Sequence, residues 1–141
     1  MSQVILNELK KLFSPIGLFV LSTIGENGPR SRYMAAPMRE DLSIWGSAAA
    51  SSRKIHEMKQ NPNVCCVTCI DPKNWGAAHA VITGIVQLFY DLETKKSNWR
   101  PDLKKHLKGP EDPEYVVYKI TPKRIEYYRQ NTPHPEVIEL E

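Results

Sequence analysis

Ser52-Arg53-Lys54 places a hydroxyl, a guanidinium and an ammonium on three successive residues, at the point where a run of small residues, Ala48 to Ser52, gives way to a helical pattern. Free backbone N–H groups and the helix dipole already favour an anion at such a position. The three side chains add charge-assisted donors, so the combination reads as a phosphate cradle. Arg30, Arg32 and Met34 alternate with Ser31, Tyr33 and Ala35. On a strand this sets two guanidiniums on one face, about 7 Å apart, which also suits an anion. Each grouping by itself also fits a plainer arrangement, a capped helix or a strand with ordinary surface charges.

Other chemistry finds less support. Cys66 and Cys69 form a Cys-x-x-Cys, but it falls inside an apolar β-rich run, where an offset of three turns the two sulfurs to opposite faces. With no second pair to complete a zinc set, Cys65, Cys66 and Cys69 read as reduced packing residues, and no metal site is expected. His56, His79, His106 and His134 are scattered, and no P-loop, His-Glu-x-x-His or Gly-x-Ser-x-Gly pattern occurs. Residues 95–108 hold the densest basic stretch, yet Trp99, Leu103 and Leu107 interleave as the apolar face of a helix. A solvated amphipathic segment explains that spacing, with nucleic-acid binding the weaker alternative.

The elements that must position these residues are short. Ile5, Leu9, Leu12 and Phe13 predict a helix over 3–13, with Ser2 as its N-cap and Pro15 and Gly17 as its stop. Strands are predicted over 18–23, 30–38, 42–47, 64–70, 77–90 and 115–121, and a short seventh over 125–129 after a turn at Pro122-Lys123. Gly25-Glu26-Asn27-Gly28-Pro29 makes the first two a hairpin, and the tight link at Glu40-Asp41 extends it to a meander. Gly84 suggests a bulge or close backbone approach in the long fifth strand. A solvent-facing helix is expected from Ser52 to Gln60, and two helical pieces, broken at Pro101, over 92–107. Residues 130–141 read as a loose tail or contact segment.

Six or seven consecutive antiparallel strands with few helices favour a β-rich α+β class, closed as a small Greek-key barrel that removes exposed edges. A chain of 141 residues, 41% hydrophobic and 25% charged, is expected to form a single domain, residues 1–141. No apolar run approaches the roughly 20 residues a membrane span requires, so no membrane and a cytoplasmic location are expected. The net charge of +3 lies wholly in residues 1–70, with eight basic against five acidic residues, whereas 71–141 has eleven of each. That is too little for a dedicated nucleic-acid binder but leaves room for a local anion site.

Taken in order, Phe19-Val20-Leu21-Ser22-Thr23, Gly28 to Met34, Ser43-Ile44-Trp45, Ser52-Arg53-Lys54, Asn61 to Val64, Ile82-Thr83-Gly84, Asp112 to Tyr115 and Ile125 to Tyr128 resemble the FMN-binding split-barrel family. The nearest branch looks like the pyridoxamine 5′-phosphate oxidase-like proteins of the general-stress-protein type. The resemblance implies a split barrel that forms a homodimer, with FMN at the subunit interface. Cofactor-binding residues carried over by position are Arg30, Arg32 and Met34 beside the flavin, Ser52, Arg53 and Lys54 at its phosphate, and His79 and Trp99 from the partner subunit. Ser47 offers the hydroxyl that relatives supply after the third strand. Pro37 stands where true pyridoxamine phosphate oxidases keep a Lys, which counts against vitamin B6 synthesis.

The expected function is therefore an FMN-dependent oxidoreductase that needs no side chain as catalytic acid, because the flavin itself carries the redox chemistry. A non-catalytic flavin- or haem-binding sensor or carrier that uses the same cleft is the alternative.

Overall fold

In the computed structural model, which describes residues 3–141, seven strands form one curled antiparallel sheet in the order β2-β1-β4-β5-β6-β3, with β7 paired to β6. The strands are β1 Gly17–Gly25, β2 Gly28–Ala36, β3 Ile44–Ala49, β4 Asn63–Thr68, β5 His79–Phe89, β6 Tyr115–Tyr128 and β7 Glu136–Glu139. The helices are α1 Gln3–Leu12, α2 Arg53–Gln60 and α3 Leu92–Ser97. This is the expected β-rich α+β split barrel; its two edge strands meet through a single bridge, Met38 to Ile44. The expected N-cap, Ser2, lies outside the described residues.

Alternation explains the interior. Phe19 and Leu21 of β1, Cys66 of β4, Ala80 and Ile82 of β5, and Val116, Tyr118 and Ile120 of β6 are all buried in one core. Period-two patterning puts their neighbours outside. Ile5, Leu9 and Phe13 of the first helical segment join this core. Across the outer face of β3, β5 and β6 a second small cluster forms, in which Trp45, Phe89, Trp99 and Leu103 pack on Leu107, Tyr115 and Val117. The two expected helical pieces that cover it are α3 and a 3-10 turn over Pro101–Lys105.

Five sequence expectations are corrected. The first three strands are not a meander, because β3 leaves the hairpin and pairs along β6, from Ile44↔Ile120 to Ala49↔Tyr115. Leu42, expected to begin that strand, instead turns with a φ of 72°. Pro122-Lys123 does not end a strand: β6 runs straight through, and its pairing with β5 shifts register at Thr83/Gly84. A bulge there absorbs the missing N–H of the proline. The tail is not loose throughout, since Glu136–Glu139 adds β7 to the far end of β6 and buries Ile138. Finally, α2 is not a solvent-facing helix, for Ile55, Glu57 and Met58 are buried. Its short sequence shows only two apolar positions, too few to reveal the seated face.

Candidate functional site

Helix α2 packs against β1 of the β1–β2 hairpin, and Arg53 and Lys54 of its first turn lie beside strand β2. Arg30, Ser31, Arg32, Arg53 and Lys54 line one hollow of about 270 Å³ there. The two basic groupings of the sequence, twenty residues apart, thus share one site. A larger groove of about 1120 Å³ adjoins it through Arg30 and Arg53, and runs between the hairpin and α2 past Ser52, His56 and Gln60.

The cations in the hollow are not equivalent. Arg32 donates from Nη2 to Glu57 Oε1 at 2.9 Å and from Nη1 to Thr23 Oγ1 at 2.8 Å, with the carbonyls of Leu21 and Arg30 at 3.3 and 3.4 Å. Arg30 pairs through Nε with Glu57 Oε2 at 3.1 Å. Thr23 donates its hydroxyl to Glu57 Oε1 at 2.8 Å. Burial pushes the Glu57 carboxyl up, but the hydrogen bonds from Thr23 and Arg32 and the charges of both arginines outweigh it and hold the group below the usual carboxylate range. By contrast, neither Arg53 nor Lys54 makes an ion pair or side-chain hydrogen bond among the described residues. Lys54 is half-buried, and burial, reinforced by the charge of Arg32, pulls its ammonium below the ordinary lysine value.

A partly desolvated ammonium with a second cation close by and no carboxylate of its own among the described residues has the chemistry to receive an anion. Ser52 stands at the N-cap of α2, but its hydroxyl donates to the carbonyl of Ala49 at 2.6 Å and does not cap the helix. The hydroxyl oxygen keeps its acceptor capacity, and the first-turn N–H groups remain open to a ligand.

The remaining candidates lie elsewhere in the same chain. Met34 packs, partly buried, against the barrel core. Ser47 sits half-buried on β3, opposite Val117 of β6. Trp99 packs edge-on against Tyr115 at 5.3 Å in the small outer cluster. His79 stacks on Tyr128 at 4.6 Å, with Nδ1 3.0 Å from the Ala77 carbonyl, beside a separate hollow of about 300 Å³ shared with Trp75 and Arg129. Within one chain, then, the structure joins Arg30, Arg32, Arg53 and Lys54 and leaves Met34, Ser47, His79 and Trp99 apart. Glu57 and Thr23 were not singled out by sequence reasoning. Neither carries a local signal, because a carboxylate on a helix and a threonine on a strand become partners only when α2 docks. Of the cysteines, Cys66 points inward and is buried, with its thiol pushed up chiefly by that burial, while Cys69 lies just past the end of β4.

Comparison with known proteins decides the family. The family model for pyridoxamine 5′-phosphate oxidase matches residues 5–129. The chain belongs to the pyridoxamine 5′-phosphate oxidase family. General stress protein 26 of Bacillus subtilis (strain 168) is 28% identical to this chain over 120 residues, covering 85% of each chain. The crystal structure of general stress protein 26 from Bacillus anthracis str. Sterne superposes with a TM-score of 0.80 at 27% identity, over 96% of this chain and 98% of that one. A protein related to general stress protein 26 from Clostridium acetobutylicum gives 0.84 at 22% identity, over 99% and 97%. The matched residues include all those that line the basic hollow. No helix among the described residues is long and apolar enough to cross a membrane.

Proposed function

We propose that this protein is an FMN-dependent oxidoreductase that holds its flavin at a homodimer interface, with the phosphate in the hollow at the N-terminal turn of α2. The observation that carries this reading is the unpartnered pair Arg53 and Lys54 beside the Glu57-bound arginines. Among the described residues nothing neutralises these cations, and the helix end supplies backbone donors of the right polarity. When bound, the flavin would supply hydride or electron transfer, and the protein's share is binding, orientation and electrostatics.

The dimer follows from what one chain leaves uncovered. A barrel this small is filled by its own side chains, so a flat ring system must lie outside it and needs a second wall. The outer face of β2, β1, β4 and β5 is apolar and open: Tyr33 opposes Val20, Val20 opposes Val67 and Val67 opposes Val81, while Leu18 and Tyr33 remain 54% and 74% exposed. His79 belongs to this same face, two residues from Val81 along β5. A second copy packed two-fold on it would carry its His79 towards the rim of the first, and would build two equivalent sites at once. Trp99 is assigned to the same wall by the family resemblance alone.

Flavin titration of the purified protein tests the reading. FMN should bind with shifted absorbance bands and riboflavin much more weakly. Mixing Lys54→Ala protein with a disruptive His79 variant, each binding-deficient alone, should restore about one site per heterodimer. A sedimenting monomer that still holds FMN tightly would refute the shared site. Reduction of the bound flavin by a nicotinamide donor with turnover distinguishes an enzyme from a carrier that only holds the cofactor.

A further inference from the structure

We propose that Glu57 is the positioning residue of the basic hollow: its carboxylate locks Arg32 into the floor, aims Arg30, and offsets their charge beneath Lys54. The proposal rests on the phosphate reading above for its ligand but not for its geometry. Arg32 spends Nη2 on Glu57 and Nη1 on Thr23 and two backbone carbonyls. It therefore contributes its field to the hollow and few free hydrogen bonds. Arg30 pairs with Glu57 at Nε, its terminal nitrogens make no hydrogen bond among the described residues, and the residue lines both the hollow and the adjoining groove.

The local sequence makes room for this grip. A Cβ on Gly25 would come within 2.6 Å of Arg30 Cδ and 2.8 Å of Glu57 Oε2, so a side chain there would push against the pair. Thr23 and Arg32 hold the same carboxylate oxygen from two strands, and the carboxylate itself belongs to α2. One residue thus fixes the helix that carries Arg53 and Lys54 relative to the strands that carry the arginines. The charged groups around it are Arg30 and Arg32 of β2, Arg53, Lys54 and His56 of α2, and Glu26 of the hairpin turn, which lines the same groove. Among the described residues only Glu57 pairs with Arg32, and Arg32 is the charge that, after burial, depresses the Lys54 ammonium.

The charge and the geometry can be separated. Glu57→Gln keeps the size and removes the charge, so Lys54 should lose its proton at lower pH than in wild type, read in the ligand-free protein by NMR titration of the Lys54 Nζ. Because a phosphate monoester is already fully ionised above about pH 7, the alkaline fall of FMN affinity should move to lower pH in the same variant. Riboflavin binding should show no such shift. Glu57→Asp keeps the charge but shortens the reach, so FMN should weaken about three- to tenfold with riboflavin unchanged, a loss on the scale of one slackened hydrogen bond. Where Glu57→Gln does not fold, Glu57→Asp carries the test alone.

Lys54 titrating as in wild type in Glu57→Gln, or Glu57→Asp binding FMN within twofold of wild type, overturns the proposal. Equal losses of FMN and riboflavin binding also overturn it, because they mark a merely structural role. A wild-type protein that binds neither FMN nor inorganic phosphate, but whose Lys54 shifts in Glu57→Gln, upholds Glu57 as the charge-setting group and refutes the FMN reading.

Discussion

Replacing Lys54 with alanine isolates the ligand contact from the fold. The ammonium makes no ion pair or hydrogen bond within the described residues, and it sits half-buried beside Arg32. Its removal therefore breaks no ion pair or hydrogen bond and relieves a repulsion, which offsets the lost packing of its aliphatic stem, so the thermal midpoint of the ligand-free protein should stay about level. Binding is a different matter, because a charge-assisted hydrogen bond to a phosphate is worth about 1.5–3 kcal/mol, or roughly ten- to a hundredfold in affinity. FMN should weaken by that factor, riboflavin, which lacks the phosphate, should be unaffected, and the salt dependence of FMN binding should flatten as one cation is lost. Isothermal titration at two ionic strengths, with thermal melts of the free protein, reads all three. FMN affinity within threefold of wild type would refute the assignment of the hollow. So would a drop of several degrees in the ligand-free midpoint, since that would mean Lys54 holds the fold together.

Gly46→Ala should destabilise the barrel by about 1–3 kcal/mol, the usual cost of overpacking, because a Cβ there would lie 2.1–2.4 Å from the ring of the fully buried Tyr118; denaturant melts measure it, and an unchanged midpoint would show that the ring can yield. Tyr118→Phe should leave stability level or raise it, because the Tyr118 hydroxyl is the one buried side-chain polar atom without a partner among the described residues; a loss above about 1 kcal/mol would reveal a bridging water in the barrel. Glu57 is held below its ordinary value of 4.5, so the stability its ionised form confers is complete above that value and is lost as pH falls through the depressed one. The stability gap between wild type and Glu57→Gln should accordingly narrow with acid, and a gap independent of pH down to unfolding would show that the carboxylate's charge does not stabilise the fold.

Local pattern alone determined much of this protein. Turn residues at Gly25 to Pro29, alternation in β1, β4 and β5 and the small-residue run before Ser52 act over a few neighbours, so the hairpin, the strand count, the barrel class and the helix start that bears Arg53 and Lys54 were legible. Tertiary structure decided what depends on partners distant in sequence. Strand β3 pairs with β6, some seventy residues away, because closing the barrel satisfies backbone groups that a meander would leave at two edges. Pro122 stays within a strand because a bulge against β5 absorbs its missing N–H, and residues 136–139 become β7 because the far end of β6 offers them a pairing edge. The site divides in the same way. Residue type and spacing marked Arg30, Arg32, Arg53 and Lys54 as cations suited to an anion, but only the docking of α2 set Glu57 against the first two and left the other two free. Charge neutralisation acts through space, and nothing in the order of residues records which carboxylate will reach which arginine.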